Sequence, residues 1–231
     1  MKQGIYGEGI SLKNKRQSNM DCLLLCENTS MDIPIFLAAV CDGVGSTRDG
    51  AYASAQTLKM LQRWFYSLEH TESLGLNFLL SMKKINIELS RQIIKNRLEA
   101  ATTFSAILLA DDQYYLVHVG DSRIYGWIDG NLEQLTQDCV SDRGELCSYL
   151  GREKSAAFMY YEGKNSYEKY LLCTDGLYKR MDRRFLADQL ERAARKNLKK
   201  TLKILTDAVV SNGEQDNITA ALIMNERGGE R

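Results

Sequence analysis

Short apolar blocks that stop on aspartate dominate the pattern of hydrophobic and polar positions. "DCLLLCEN" (21–28) and "IPIFLAAVCD" (33–42) have strand length and polar boundaries, and each predicts a strand. From Ala51 the period changes. Apolar positions 51, 55, 58, 61, 65 and 68 recur at helical spacing, and Ser46 with Asp49 fits an Ser-x-x-Asp cap ahead of them. A second helix is predicted with Phe78, Met82, Ile85, Leu89 and Ile93 on one face. Strand-like runs fill 102–136, broken at Asp111-Asp112, Gly120-Asp121 and Asp129-Gly130, all with hairpin chemistry. "KYLLCTDGLYKRM" is a further strand ending on Asp-Gly. Two helical runs follow, the second stopped at Asn212-Gly213, and "DNITAALIMN" closes the chain's pattern as a strand.

Strands, a helix pair, strands, helices and a last strand do not alternate as βαβ units do. The order predicts an α+β layered fold of mainly antiparallel sheets with helices packed on them. A single proline, no linker and no internal repeat among 231 residues predict one domain over 1–226, with a loose tail at 227–231.

Composition narrows the chemistry. Thirty basic and thirty acidic residues cancel, without a basic run, so neither nucleic acid nor a membrane surface is an expected partner. No apolar stretch approaches the roughly 20 residues that span a bilayer. The N-terminus lacks an apolar signal core, and a cytoplasmic location and a monomer are expected. The six cysteines contain no Cys-x-x-Cys pair and read as reduced, mostly buried hydrophobes. Two histidines, His70 and His118, exclude a His-rich zinc site and disfavour a Ser-His-Asp triad. Carboxylates are left to carry any catalysis.

Five aspartates hold the same local position. Asp21 opens "CLLLC", Asp42 ends "FLAAVC", Asp121 ends "YYLVHVG", Asp175 ends "YLLCT" and Asp216 opens "NITAALI". Any one of them alone is an ordinary turn. Gathered together they would repel one another unless a cation neutralised them. An oxygen-rich set with glycines beside it suits Mg²⁺ or Mn²⁺ rather than zinc.

The blocks "RQSNMD", "CDGVG", "ATTFSAIL", "VGDSRIYGW", "LTQD", "LLCTDGL" and "QDNIT" occur in this order from about Lys13 to Ile223. In that order they resemble the bacterial branch of the PPM family, the metal-dependent protein serine/threonine phosphatases also called protein phosphatase 2C-like. The resemblance implies a four-layer α-β-β-α sandwich of two antiparallel sheets flanked by helix pairs. It implies two core Mg²⁺ or Mn²⁺ ions, with a third in some members. Asp42 matches the carboxylate that bridges the two ions, and Gly43 the residue whose carbonyl binds one of them. Asp175 and Asp216 match further ligands, and Asp121 the ligand of the third ion. Asp21 matches an acidic position behind the ligands, and Arg16 the group that grips the substrate phosphate. Ser122 and Asn217 match structural supports of their aspartates.

The activity implied is hydrolysis of phosphoserine and phosphothreonine in proteins by direct attack of water held between the ions, opposing a serine/threonine kinase. The chain departs from the family pattern in four places. Ser46 and Ala101 stand at usual glycines, Cys139 at the histidine of L-T-x-D-H, and Val44 where some members carry histidine. The flap at about 138–166 is shorter than usual, which implies a more open cleft. Three rival readings are an inactive phosphoprotein-binding relative, a two-metal nuclease and a nucleotide-binding loop at "DGVGSTRDG". The intact carboxylates argue against the first, the neutral charge against the second, and the absent Gly-Lys-Ser/Thr against the third.

Overall fold

A computed structural model describes residues 4–226. Ten strands build two five-stranded sheets in which every pairing is antiparallel. The strands are β1 (Ile5–Leu12), β2 (Cys22–Asn28), β3 (Ile35–Cys41), β4 (Phe104–Ala110), β5 (Gln113–Val119), β6 (Arg123–Ile128), β7 (Asn131–Gln134), β8 (Met159–Lys164), β9 (Lys169–Cys173) and β10 (Ile218–Asn225). One sheet has the order β1-β10-β9-β6-β7 and the other β2-β3-β4-β5-β8. The helices are α1 (Gly50–Tyr66), α2 (Leu74–Asn96), the single turn α3 (Asp175–Tyr178), α4 (Arg183–Arg192) and α5 (Leu198–Ser211).

Strand β3 shows why these are layers. All seven of its residues are buried. Phe36, Ala38 and Val40 point to the other sheet and pack with Ile107, Leu109 and Leu172. The alternate residues Ile35, Leu37, Ala39 and Cys41 point to α1 and α2 and pack with Leu61, Phe65 and Phe78. A strand covered on both faces reads as a continuous apolar run, because period-two alternation has no wet face to report. Strand β10 does the same in the other sheet. Ala221 and Ile223 face the sandwich, while Ile218, Ala220 and Leu222 face α4 and α5. The result is the expected four-layer α-β-β-α sandwich.

Both strands flanking the first turn and all five residues expected on the α2 face hold their places, the latter buried. Four expectations need correction. The Ser46–Asp49 cap does not form. Helix α1 begins at Gly50 without a side-chain cap, and Asp49 Oδ2 instead accepts the Glu99 N–H (3.0 Å) across the α2 exit. Ala51 and Ala55 are not core positions, since the buried face runs through Ala53, Ser54, Thr57, Leu58, Leu61 and Phe65. Gly120-Asp121 is not a hairpin. Strands β5 and β6 lie in different sheets, so this turn carries the chain across the sandwich. Two strands, β1 and β8, escape the periodic pattern. The first carries glycines, which sequence propensity counts against a strand, and the second is a half-exposed edge inside the supposed flap.

The cysteines are all free. Cys26, Cys41 and Cys173 are buried as expected, but Cys147 is exposed. Among the described residues no helix is long and apolar enough to cross a membrane. The tail expected at 227–231 lies outside the described residues.

Candidate metal centre and phosphate site

Antiparallel register delivers the aspartates to one end of the sandwich. Cys22 pairs with Cys41, so Asp21 and Asp42 flank the same rung. Phe104 pairs with Val119 and Val40 with Ser105, which brings the end of β5, and hence Asp121, beside the end of β3. Cys173 pairs with Ala220, so Asp175 leaves one strand where Asp216 enters the next. Leu12 pairs with Ile218, which places the loop carrying Arg16 next to Asp216. A cleft of about 820 Å³ opens there, lined by Arg16, Asp42, Gly43, Asp121, Asp175 and Asp216. Asp21 stands behind it, 5 % exposed.

The turns are held by backbone and hydroxyl groups. Thr103 N–H donates to Asp42 O (2.8 Å), Thr102 Oγ1 donates to the same oxygen (2.9 Å), and Asp42 N–H donates to Thr103 Oγ1 (3.0 Å). Thr103 Oγ1 also meets Ser122 Oγ (2.8 Å), which ties the Asp42 turn to the Asp121 turn. Asn217 acts mostly on the neighbouring loop. Its Nδ2 donates to Lys13 O (2.9 Å) and Ser18 O (3.0 Å), and its Oδ1 accepts from Met20 N–H (2.9 Å).

Two glycines are required by close approach. A Cβ on Gly43 would lie 2.7–2.8 Å from the backbones of Gly50 and Met20, and one on Gly176 would lie 2.0 Å from Asn217 O. The second contact presses the start of α3 onto the entry of β10.

Electrostatics at this end are strained. Desolvation first, then Asp21, Asp175 and Asp121, push the Asp42 carboxyl well above the usual range. Burial, followed by Asp175, raises Asp121 to about 6, against the pull of Lys179. Burial raises Asp21 to about 7, against the hydrogen bond that its Oδ2 accepts from Thr174 Oγ1 (2.9 Å). Its Oδ1 is buried with no partner in hydrogen-bonding geometry, although the Thr219 hydroxyl is near enough to lower the carboxyl as Thr174 does.

Asp216 behaves oppositely. Burial is the largest influence and would raise it, but Arg16, the Asn217 N–H and Lys179 together outweigh burial and hold it below the usual carboxylate range. Arg16 Nε and Nη2 reach its two oxygens at 2.8 and 2.6 Å. Lys179 Nζ likewise sits 2.6 Å from Asp175 Oδ2. Arg16 and Lys179 are 55 % and 57 % exposed, and pairs this wet contribute about 0–1 kcal/mol.

With these pairs in place, no three His, Cys, Asp or Glu side chains among the described residues are arranged to hold one ion between them. The donor chemistry nonetheless fits a hard divalent cation. The donors are carboxylates, they repel one another, and a buried oxygen of Asp21 is left unpaired. Ligation would require Asp216 and Asp175 to exchange their weak surface cations.

The structure thus brings Arg16, Asp42, Gly43, Asp121, Asp175 and Asp216 to one cleft, with Asp21 one layer deeper than the rest. Sequence reasoning missed Thr102 and Thr103 as the frame of the turns, Thr174 as the partner of Asp21, and Lys179 as a cation in the cleft. The doublet in "ATTFS", directly before an apolar strand, was the available signal for the first two. Neither histidine lines the cleft. Asp138 of "LTQD" also turns away, its carboxylate forked by Arg123 (3.0 and 2.7 Å).

The chain belongs to the protein phosphatase 2C family, whose model matches residues 9–214. A Mycoplasma genitalium protein provisionally named a protein phosphatase is 25 % identical over 219 residues, covering 81 % of this chain and 84 % of its own. A crystal structure of a bacterial serine phosphatase superposes with a TM-score of 0.88 at 21 % identity, covering 99 % of this chain and 100 % of that one. The catalytic domain of the serine/threonine phosphatase PstP, solved in complex with two manganese ions, gives 0.80 at 22 % identity, over 95 % and 97 % of the two chains. At such identities the structural likeness shows the shared fold.

Proposed function

We propose that residues 1–226 form one divalent-cation-dependent phosphatase domain that hydrolyses phosphoserine and phosphothreonine in proteins. The observation that carries this reading is the delivery of four aspartates and an arginine, from separate strand ends, to one cleft. Asp42, the Gly43 carbonyl, Asp175 and Asp216 would hold two Mn²⁺ or Mg²⁺ ions, with Asp121 available to a third. The PstP relative supports the pair of ions. When bound, such ions neutralise phosphoryl oxygens and activate water for in-line attack on phosphorus.

The chain's own residues do the rest. Thr102 and Thr103 fix the Asp42 carbonyl and amide so that its carboxylate stays aimed at the cleft. Asp21, held by Thr174, places a second carboxylate behind it to orient solvent. Arg16 exchanges Asp216 for the substrate phosphate, which a planar, always-charged fork binds through two oxygens. That exchange costs little, because the pair is exposed, and it frees Asp216. No cysteine or serine lies among the groups so assigned, so no phospho-enzyme is invoked. The physiological role would be the reversal of a serine/threonine kinase.

The two cation–carboxylate pairs favour one second reading, an inactive member that binds phosphoproteins. Hydrolysis of para-nitrophenyl phosphate and a phosphothreonine peptide with Mn²⁺ separates the two. The enzyme reading expects turnover that Asp42→Asn and Asp175→Asn abolish while circular dichroism is unchanged. No rate above background in folded wild-type protein, or wild-type activity in Asp42→Asn, refutes it.

A further inference from the structure

Residues 139–147 fold into a tight hairpin beside the cleft. Val140 and Leu146 form an isolated antiparallel bridge. Ser141 N–H donates to Glu145 O (2.8 Å) and Cys147 N–H donates to Cys139 O (2.9 Å). Gly144, at φ +76°, turns the tip. One step along the ladder from the bridge, Cys139 therefore stands directly opposite Cys147. Residues opposite each other in an antiparallel ladder project to the same face, with Cα atoms about 4.5–5.5 Å apart. A disulfide needs about 4.4–6.8 Å. Burial first, and then the neighbouring Cys147, pushes the Cys139 thiol up, as expected of two sulfurs side by side.

Exposure and position make this pair different from the other four thiols. Cys147 is exposed and Cys139 is half-buried. The chain's other cross-strand pair, Cys22 opposite Cys41, contains a fully buried partner. The hairpin is also tied to the cleft on both sides. Cys139 N–H donates to Gly120 O (2.8 Å), next to Asp121, while Gly144 and Leu146 line the cleft wall.

We propose that Cys139 and Cys147 form a modification site, a dithiol that hydrogen peroxide closes to a reversible disulfide across the cleft hairpin. The exposed Cys147 meets the oxidant first. Its thiolate attacks one peroxide oxygen, the O–O bond breaks, and Cys147 sulfenic acid forms with release of water after proton uptake. Cys139 Sγ then attacks the Cys147 sulfur, the S–O bond breaks, an S–S bond forms and a second water leaves. Two thiols are oxidised and one peroxide is reduced to two waters. A thiol returns the pair by exchange. Closure locks the cleft wall at Leu146 to the Gly120-Asp121 turn.

The test is independent of whether the cleft hydrolyses phosphate. The full chain is treated with equimolar hydrogen peroxide, free thiols are alkylated under denaturing conditions, and the unreduced digest is mapped by mass spectrometry. Expected is a loss of two hydrogens per chain, mapped to a Cys139–Cys147 cross-link that dithiothreitol removes. In Cys139→Ser, Cys147 should stop instead at sulfenic acid, and pass to sulfinic acid when a second equivalent of peroxide is added. In Cys147→Ser the cross-link should be absent. A cross-link between Cys22 and Cys41, a disulfide between chains, or wild-type Cys147 overoxidised beside an alkylated Cys139 would each overturn the proposal.

Discussion

His118 should make this fold acid-sensitive. It is fully buried on β5, three residues before Asp121. Its Nε2 lies 3.1 Å from Gln137 O, which can only accept, so the ring proton sits there. Nδ1 lies 2.7 Å from Ser105 Oγ, whose single proton also has the Ser122 carbonyl within reach at 3.0 Å. Burial outweighs these polar contacts and lowers the ring to about 4 from 6.5. Between those values the unfolded chain binds a proton that the fold refuses. Stability is therefore complete above about pH 6.5 and is lost as pH falls towards 4. A gap of about 2.5 units at about 1.4 kcal/mol each amounts to ~3 kcal/mol. Urea unfolding of wild type and His118→Gln, followed at several pH values in chelator, isolates this contribution, because the carboxylates are common to both. Wild type should lose ~3 kcal/mol more than the variant between about pH 7 and pH 4. Parallel pH profiles would show that His118 is not held neutral and would refute the burial argument.

The cleft yields five further expectations. Asp42→Asn in chelator should raise Tm by removing one of several repelling carboxylates; a lower Tm by calorimetry would contradict the crowding. Manganese should reverse that order, stabilising wild type far more than the variant. Arg16→Ala should raise KM for a phosphopeptide with a smaller change in kcat; an equal fall in kcat and kcat/KM would assign Arg16 to the transition state instead. Thr103→Val should cost about 1–3 kcal/mol in urea unfolding by stranding the Asp42 N–H and Ser122 hydroxyl, with Thr103→Ser recovering most of it. Gly176→Ala should cost about 3 kcal/mol or more from its clash with Asn217 O, whereas Gly45→Ala, with open space around it, should be nearly neutral.

Much of the site was legible because its chemistry is local. An aspartate that ends an apolar strand, followed by glycine or serine, is visible in a few residues, as at Asp42-Gly43, Asp121-Ser122 and Asp175-Gly176. The α2 face was legible for the same reason, since Phe78, Met82, Ile85, Leu89 and Ile93 repeat at one period over a long helix. The α1 cap was misread because Asp49 had two possible partners and took the remote one, Glu99 N–H. The Gly120-Asp121 turn was misread because a hairpin and a crossing between sheets use the same turn residues. The role of Thr103 was invisible because its partners, Asp42 and Ser122, come from two other segments.

By itself the sequence determined most of the strands and helices, though not β1 and β8, and which carboxylates stand at strand ends. Periodicity and turn chemistry act over a few residues and need no partner. The tertiary structure alone decided that those ends meet, that Arg16 forks Asp216, that Lys179 pairs with Asp175, and that Cys139 faces Cys147. Each of these depends on strand register, crossing between sheets or loop closure. Those are set by the burial of two sheets and four helices against one another, a free energy that no short stretch of chain contains.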